Sequence, residues 1–266
     1  MQRCFSSLGC PDLTLDATLA LAARHGIPAV ELRALGGTTD LPAHLASQFG
    51  TPAQLVAHLR AAPVPVRIAA FDASLPLVGA TPAHRAGLVA LAPWAEALGV
   101  PWLRVFDGGK NAGATEITEA VATLEWWQEL RRTHGWRVQL MVETHDSLFT
   151  TAALQRLIAA APGVAILWDS HHTWRKGGED PLATWRAIHR SVVHVHVKDG
   201  TGVPSARHPY TYALPGDGEF PIAPLLATLR AEGYPGLVSL EWELMWHPYL
   251  PSLDTALRIA AERGWW

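Results

Sequence analysis

The stretch VVHVHVKDG (192–200) alternates valine with histidine and lysine and ends on a carboxylate. Val193, Val195 and Val197 share one parity, and His194, His196 and Lys198 share the other. A two-residue period is that of a β-strand with unlike faces. Either the basic face meets water, or it lines a site. The rest of the chain decides between these readings.

Outward from this stretch, short β-rich runs alternate with longer Ala/Leu-rich runs of helical period. The strand-like runs are 3–8, 29–35, 66–72, 102–107, 137–144, 164–170, 192–199 and 237–243. The helical runs are 14–25, 52–61, 81–98, 115–133, 150–161, 181–189, 222–232 and 252–263. Apolar residues in them recur at i, i+3 and i+4, as at Leu15, Leu19 and Ala22. Gly or Pro often stands between a helix and the next strand, as at Gly26, Pro63 and Gly135. Strict alternation calls for a parallel sheet. Eight units with no linker predict an α/β fold, a single (β/α)8 TIM barrel over residues 1–266. No GxGxxG follows the first strand, so a dinucleotide-binding sheet is disfavoured. The longest non-helical segment, 200–221, follows the seventh strand on the side where barrels keep their active sites, and is expected to act as a lid.

The composition excludes several classes of function. The formal charge of -3, without a block of like charge, argues against a nucleic-acid partner. Cys4 and Cys10 make neither a disulfide framework nor a zinc knuckle, so reduced thiols and a cytoplasmic location are expected. No leader and no run of 18 apolar residues is found, and no membrane partner is expected. The 12 tryptophans are expected mostly to pack, with some forming sugar-stacking walls.

In a barrel the helix-facing parity of each strand should be apolar. Applied to the last four strands, this turns Val138, Leu140 and Val142 outward and Gln139, Met141 and Glu143 inward. Ile166 and Trp168 go outward and Asp169 inward. The valines of the seventh strand pack on helices, leaving its histidines and Lys198 inward. Val238, Leu240 and Trp242 go outward, with Ser239, Glu241 and Glu243 inward. Glu143, Asp169, His196 and Glu241 thus converge near the C-terminal ends of four successive strands. Packed carboxylates repel and are costly to bury. A divalent cation resolves the conflict, and one imidazole with three carboxylates suits Mn²⁺, with Mg²⁺, Co²⁺ or Zn²⁺ admissible. The alternative is a separate salt bridge for each residue.

Six motifs carry a family resemblance: VELRAL (30–35), VETHD (142–146), WDSHH (168–172), HVHVKD (194–199), PGDGE (215–219) and SLEWE (239–243). With the eightfold alternation, they make the chain resemble the xylose isomerase-like TIM barrels across essentially its whole length. That group includes ketose 3-epimerases, inosose isomerases and dehydratases, hydroxypyruvate isomerases and the family 2 apurinic endonucleases. The resemblance implies one divalent metal on Glu143, Asp169, His196 and Glu241. It implies Glu143 and Glu241 as the catalytic acid and base, and His172 as a substrate-binding histidine.

Lys198, one inward step beyond His196, is a candidate oxyanion partner. Glu31 and Arg33 have inward parity on the second strand and could reach a hydroxyl or an acid group, or pair locally. His145 is a candidate beside Glu143, and Trp174 could stack on a sugar face or pack. His194 is expected to be structural. Glu243 is expected to hold Lys198 or Arg33, and Asp107 to reach the pocket rim. The extra ligands of a three-zinc endonuclease cannot be assembled, with His208 the nearest candidate.

The leading expectation is a metal-dependent isomerase or epimerase. Its substrate would be a small polyhydroxy carbonyl compound, a sugar or cyclitol, with phosphate weakly disfavoured. The alternatives are a metal-dependent dehydratase, an apurinic endonuclease-like enzyme and a non-enzymatic sugar-binding protein. The resemblance allows a homo-oligomer.

Overall fold

The computed structural model describes residues 1–265; Trp266 lies outside them. Eight parallel strands close into a barrel. They are β1 (Gln2–Ser6), β2 (Ala29–Leu32), β3 (Arg67–Val78), β4 (Trp102–Gly108), β5 (Gln139–Glu143), β6 (Ala165–Asp169), β7 (Val192–Val197) and β10 (Leu237–Leu240). The order around the barrel is β1-β10-β7-β6-β5-β4-β3-β2. A two-stranded antiparallel hairpin, β8 (Asp199–Thr201) with β9 (Thr211–Ala213), lies between β7 and β10 in the chain.

The helical layer follows from local signals. Thr14, Thr81, Thr150 and Ser252 cap their helices through the side-chain oxygen. Two helices were not anticipated. Leu41–Phe49 sets Leu41, Leu45 and Phe49 at helical spacing behind an Asp40 cap and buries the two leucines. Ser170–Arg175 is a single short helix capped by Asp169.

Most strand boundaries differ from expectation by one to six residues, and three of the differences have a plain local reason. β2 stops at Leu32 because the Arg33 and Ala34 amides donate to Ser7 Oγ, at 2.8 and 3.1 Å, instead of to a neighbouring strand. β3 runs on to Val78, with a register shift against β4 between Asp72 and Pro76. Proline has no ladder donor, and such a break is where it fits. The seventh strand ends at Val197, and Asp199 opens the hairpin.

The aromatic core lies between strands and helices, with Phe5, Phe71, Trp127, Trp168 and Trp242 fully buried there. Inside the barrel the apolar layers are made of small clusters, Ala70 with Met141 and Leu167, and Cys4 with Ala29, Ala69 and Leu237. Above them the interior is polar. No described helix is long and apolar enough to cross a membrane.

Candidate metal centre and cleft

The barrel register sets the depth of the inward polar residues. Asp169 pairs with His196 across β6 and β7, and His196 pairs with Ser239 of β10. Glu143 ends β5, and Glu241 follows β10 directly. One donor atom from each of Glu143, Asp169, His196 and Glu241 lies within 4.8 Å of the others, and all four residues are buried. In the barrel order β6 and β7 lie between β5 and β10, so Glu143 and Glu241 flank the other two.

The electrostatics of this cluster are strained. His196 Nδ1 lies 3.2 Å from Glu143 and 3.3 Å from Glu241. Its Nε2 lies 2.9 Å from Glu31, which also approaches His194 Nε2 at 2.8 Å. These Glu31 contacts are close but off the N–H axes, so they are charge contacts without aligned hydrogen bonds. Lys198 Nζ reaches Glu241 at 2.5 Å, Glu243 at 2.5 Å and Asp169 at 2.7 Å. Arg104 grips Glu143 through Nε at 2.5 Å and through a second guanidinium nitrogen.

Burial alone would raise the Glu143 carboxyl, but the Arg104 guanidinium overcomes it and holds the group down at about 2. Burial likewise opposes ionisation of Glu243, and Lys198 brings it to about 2. Asp169 goes the other way. Burial lifts it to about 6 against the pull of Lys198, and Glu241 and Glu143 add to the rise. Five carboxylates (Glu31, Glu143, Asp169, Glu241 and Glu243) therefore face two engaged cations, Arg104 and Lys198.

The donor set fits a divalent cation. Asp169 Oδ2 is buried without an aligned hydrogen-bond donor, and His196 turns Nδ1 toward the carboxylates. A hard, oxygen-rich set with one imidazole suits such an ion, and its charge would relieve the like-charge crowding. Glu31 on Nε2 would orient the imidazole from behind. A second group, Cys4, Glu31 and His194, lies deeper.

A cleft of about 160 Å³ opens above the cluster. Glu241, Glu243, His145, His172, Arg33 and Arg104 line it, with Leu8, Phe106 and Trp246 as apolar wall. His172 is buried, which pushes its imidazole well below the ordinary value. It contacts the Thr144 carbonyl at 2.9 Å through Nδ1. His145 carries an Asp146 contact at 2.7 Å.

Several candidates do not reach the cleft. Glu31 is fully buried beneath the cleft between the two β7 histidines, out of reach of a ligand above. Trp174 does not line the cleft. It packs on His171 and Phe220, each at a ring-centroid distance of 5.4 Å, with the Arg175 guanidinium over its ring. The cause is the short helix Ser170–Arg175, in which two residues span about 200°, so Trp174 faces away from His172. Asp107 serves the backbone. Its carboxylate accepts from the amides of His145, Asp146, Ser147 and Leu148 at 2.5–2.9 Å. His208 stacks on Tyr210 and joins no candidate metal group among the described residues.

The segment 200–221 is fastened down. Asp199 accepts from the amides of Gly200, Gly216 and Gly218 at 2.9 Å and of Phe220 at 3.1 Å. A Cβ on Gly218 would collide with that carboxylate. Tyr210, Tyr212 and Phe220 are buried around His171. The expected lid is thus an anchored cover.

Arg104 and Trp246 were missed from sequence. Arg104 was within reach, because the parity test applied to β4 sends Leu103 and Val105 outward and Arg104 inward.

No curated relative matches the sequence at a significant level. Among solved structures, the barrel superposes on the probable 3-DHS dehydratase AsbF of Bacillus anthracis with a TM-score of 0.78 at 18% identity, covering 99% of this chain and 100% of that one. It superposes on the IOLI protein with a bound zinc atom with a TM-score of 0.75 at 16% identity, covering 99% and 96%. A xylose isomerase domain protein of Alicyclobacillus acidocaldarius gives 0.72 at 24% identity, covering 99% and 96%. At these identities the likeness is one of fold. The family model for the xylose isomerase-like TIM barrel, however, matches residues 19–265. The closed parallel barrel and that match together make this chain a member of the xylose isomerase-like TIM barrel family.

Proposed function

We propose that the protein is a divalent-metal-dependent isomerase or epimerase of a small polyhydroxy carbonyl compound, with Glu143, Asp169, His196 and Glu241 as ligands and Mn²⁺ as the favoured ion. The observation that carries this reading is the convergence of those four donors under a small polar cleft. When bound, such an ion supplies Lewis-acid polarisation of a carbonyl and its neighbouring hydroxyl.

The chain's own residues supply the proton chemistry. Glu143 and Glu241 approach the cluster from its two sides, and both carboxylates are held ionised against burial, by Arg104 and by His196 with Lys198. One can accept the proton from the carbon beside the carbonyl. Return of a proton to the opposite face of that carbon epimerises the substrate. Return to the former carbonyl carbon isomerises it. Lys198 holds Glu241 and Glu243 in place, so its first task is positioning. His172, buried and neutral, can hydrogen-bond a hydroxyl without adding charge.

The test combines metal analysis of the purified protein with C–H exchange in D₂O, read by NMR over ketoses and keto-cyclitols. Exchange should occur in wild type and vanish in Glu241→Gln, with unchanged circular dichroism. A metal-free protein, or equal exchange in the variant, refutes the assignment. Loss of water from the substrate, seen as an absorbing enone, would identify a dehydratase built on the same first step.

A further inference from the structure

Three cations form the basic side of the site: Arg33, Arg104 and Lys198. Two are engaged. Arg104 donates to Glu143 and, at 3.3 Å, to the Ala73 carbonyl. Lys198 holds three carboxylates. Arg33 differs. Its guanidinium makes no hydrogen bond and has no carboxylate within 4.0 Å among the described residues, and Nη1 is buried without a partner. An uncompensated guanidinium at the wall of a cleft is costly unless something else completes it.

Asp72, whose charge acts on Arg33, does not complete it. Asp72 lies in the barrel interior, in register with Arg104 on the adjacent strand. Its Oδ1 is itself buried without a partner, and burial, with Glu31 nearby, favours its neutral form. The Arg33 backbone, by contrast, is fixed. Its amide and that of Ala34 both donate to Ser7 Oγ. The side chain therefore leaves from a held point, as a preorganised recognition group does. Burial and the like charge of Arg104 bring the Arg33 guanidinium down to about 10, the direction expected of a cation waiting for an anion.

We infer that the substrate is a polyhydroxy carbonyl compound that also carries a carboxylate, and that Arg33 binds that carboxylate through its free guanidinium edge. The inference rests on the proposed metal-dependent reading and names its substrate class. A planar guanidinium matches a carboxylate in two-point geometry. Phosphate is less suited, because the cleft wall offers one free guanidinium and no glycine-rich turn of backbone donors. Arg33 acts here as a specificity residue, outside the proton-transfer pair.

The test is calorimetric binding to the Mn²⁺-loaded protein of two acids and their neutral esters: D-glycerate with methyl glycerate, and quinate with methyl quinate. Wild type should bind at least one acid about thirtyfold or more tighter than its ester. Arg33→Gln should lose that preference while ester binding and metal content stay as they were, and Arg33→Lys should recover part of it. A preference that survives in Arg33→Gln would mean that the acid simply chelates the metal, which overturns the inference. So would equal binding of acid and ester, or no binding of either. Glycerol 3-phosphate forms the last arm. If it outcompetes both acids through Arg33, the carboxylate assignment is wrong.

The two readings fail separately. Arg33-dependent acid binding without C–H exchange on any keto acid leaves the recognition site and removes the isomerase. C–H exchange on a keto acid that is as fast in Arg33→Gln as in wild type does the reverse.

Discussion

Replacing Asp199 by Ala removes the acceptor that closes the segment 200–221. Its carboxylate gathers three amides from far along the chain, Gly216 and Gly218 at 2.9 Å and Phe220 at 3.1 Å. Hydrogen bonds to a charged acceptor contribute about 1.5–3 kcal/mol each before compensation. The two glycine bonds are part-buried, so water can replace the carboxylate there, at a loss of about 1 kcal/mol apiece. The Phe220 bond is buried, and its orphaned amide costs about 2 kcal/mol. Relief of the buried carboxylate returns roughly 1 kcal/mol, leaving a net loss of about 3 kcal/mol.

Global unfolding of a barrel this size need not be two-state, so the assay is local: amide hydrogen exchange of Gly216, Gly218 and Phe220. A loss of about 3 kcal/mol accelerates their opening roughly a hundredfold, while β5 and β6 amides keep their protection. Gly218→Ala should mimic the effect without removing the carboxylate, because its Cβ would collide with Asp199 and push the two apart. Acceleration below about fivefold, or equal acceleration throughout the barrel, refutes the reasoning.

Chelator treatment should lower the thermal midpoint of metal-loaded protein. Metal at a hundredfold excess over its Kd contributes about 2.7 kcal/mol, or about 5–10 °C for a chain of this size, and re-added Mn²⁺ should restore it; an unmoved midpoint counts against the centre. Arg104→Met leaves Glu143 buried without its partner and should cost about 3–5 kcal/mol in urea titration. Adding Glu143→Gln should return part of that loss, and strict additivity in the double variant would show that the pair is uncoupled. Neither thiol should react with Ellman's reagent in the native protein at pH 8. Burial pushes Cys10 up to about 12 and raises Cys4 further from reactivity. Rapid labelling without denaturant would contradict the burial of both.

Strand parity reached far into this molecule. The two-residue period is imposed by backbone geometry, and one buried face leaves a strand no choice of orientation, so Glu143, Asp169, His196 and Glu241 could be brought together on paper. The same rule, carried to β4, yields Arg104. What parity could not give was reach. Glu31 points inward as expected, yet its neighbours are the β7 histidines across the barrel, a distance set by side-chain length and barrel width. Arg33 belongs by pattern to a strand that ends one residue before it, because the Ser7 hydroxyl, just past the end of β1, takes its amide. Trp174 sits in a helix of one and a half turns, too short to announce itself by period. Asp107 and Asp199 were opaque for another reason. Apart from the Ser147 hydroxyl on Asp107, their partners are backbone amides, which every residue but proline carries, so no letter in the sequence marks them.

Asp107 has a consequence for how this cleft could change. The turn 145–148 borders the cleft through His145, yet its shape is dictated by a carboxylate on another strand that grips four main-chain amides and, of the side chains, the Ser147 hydroxyl. Side chains along that turn can be exchanged while the path of the chain stays the same. The turn is a mount with interchangeable fittings, and libraries that vary positions 145 and 146 while keeping Asp107 should alter what the cleft accepts without altering its frame.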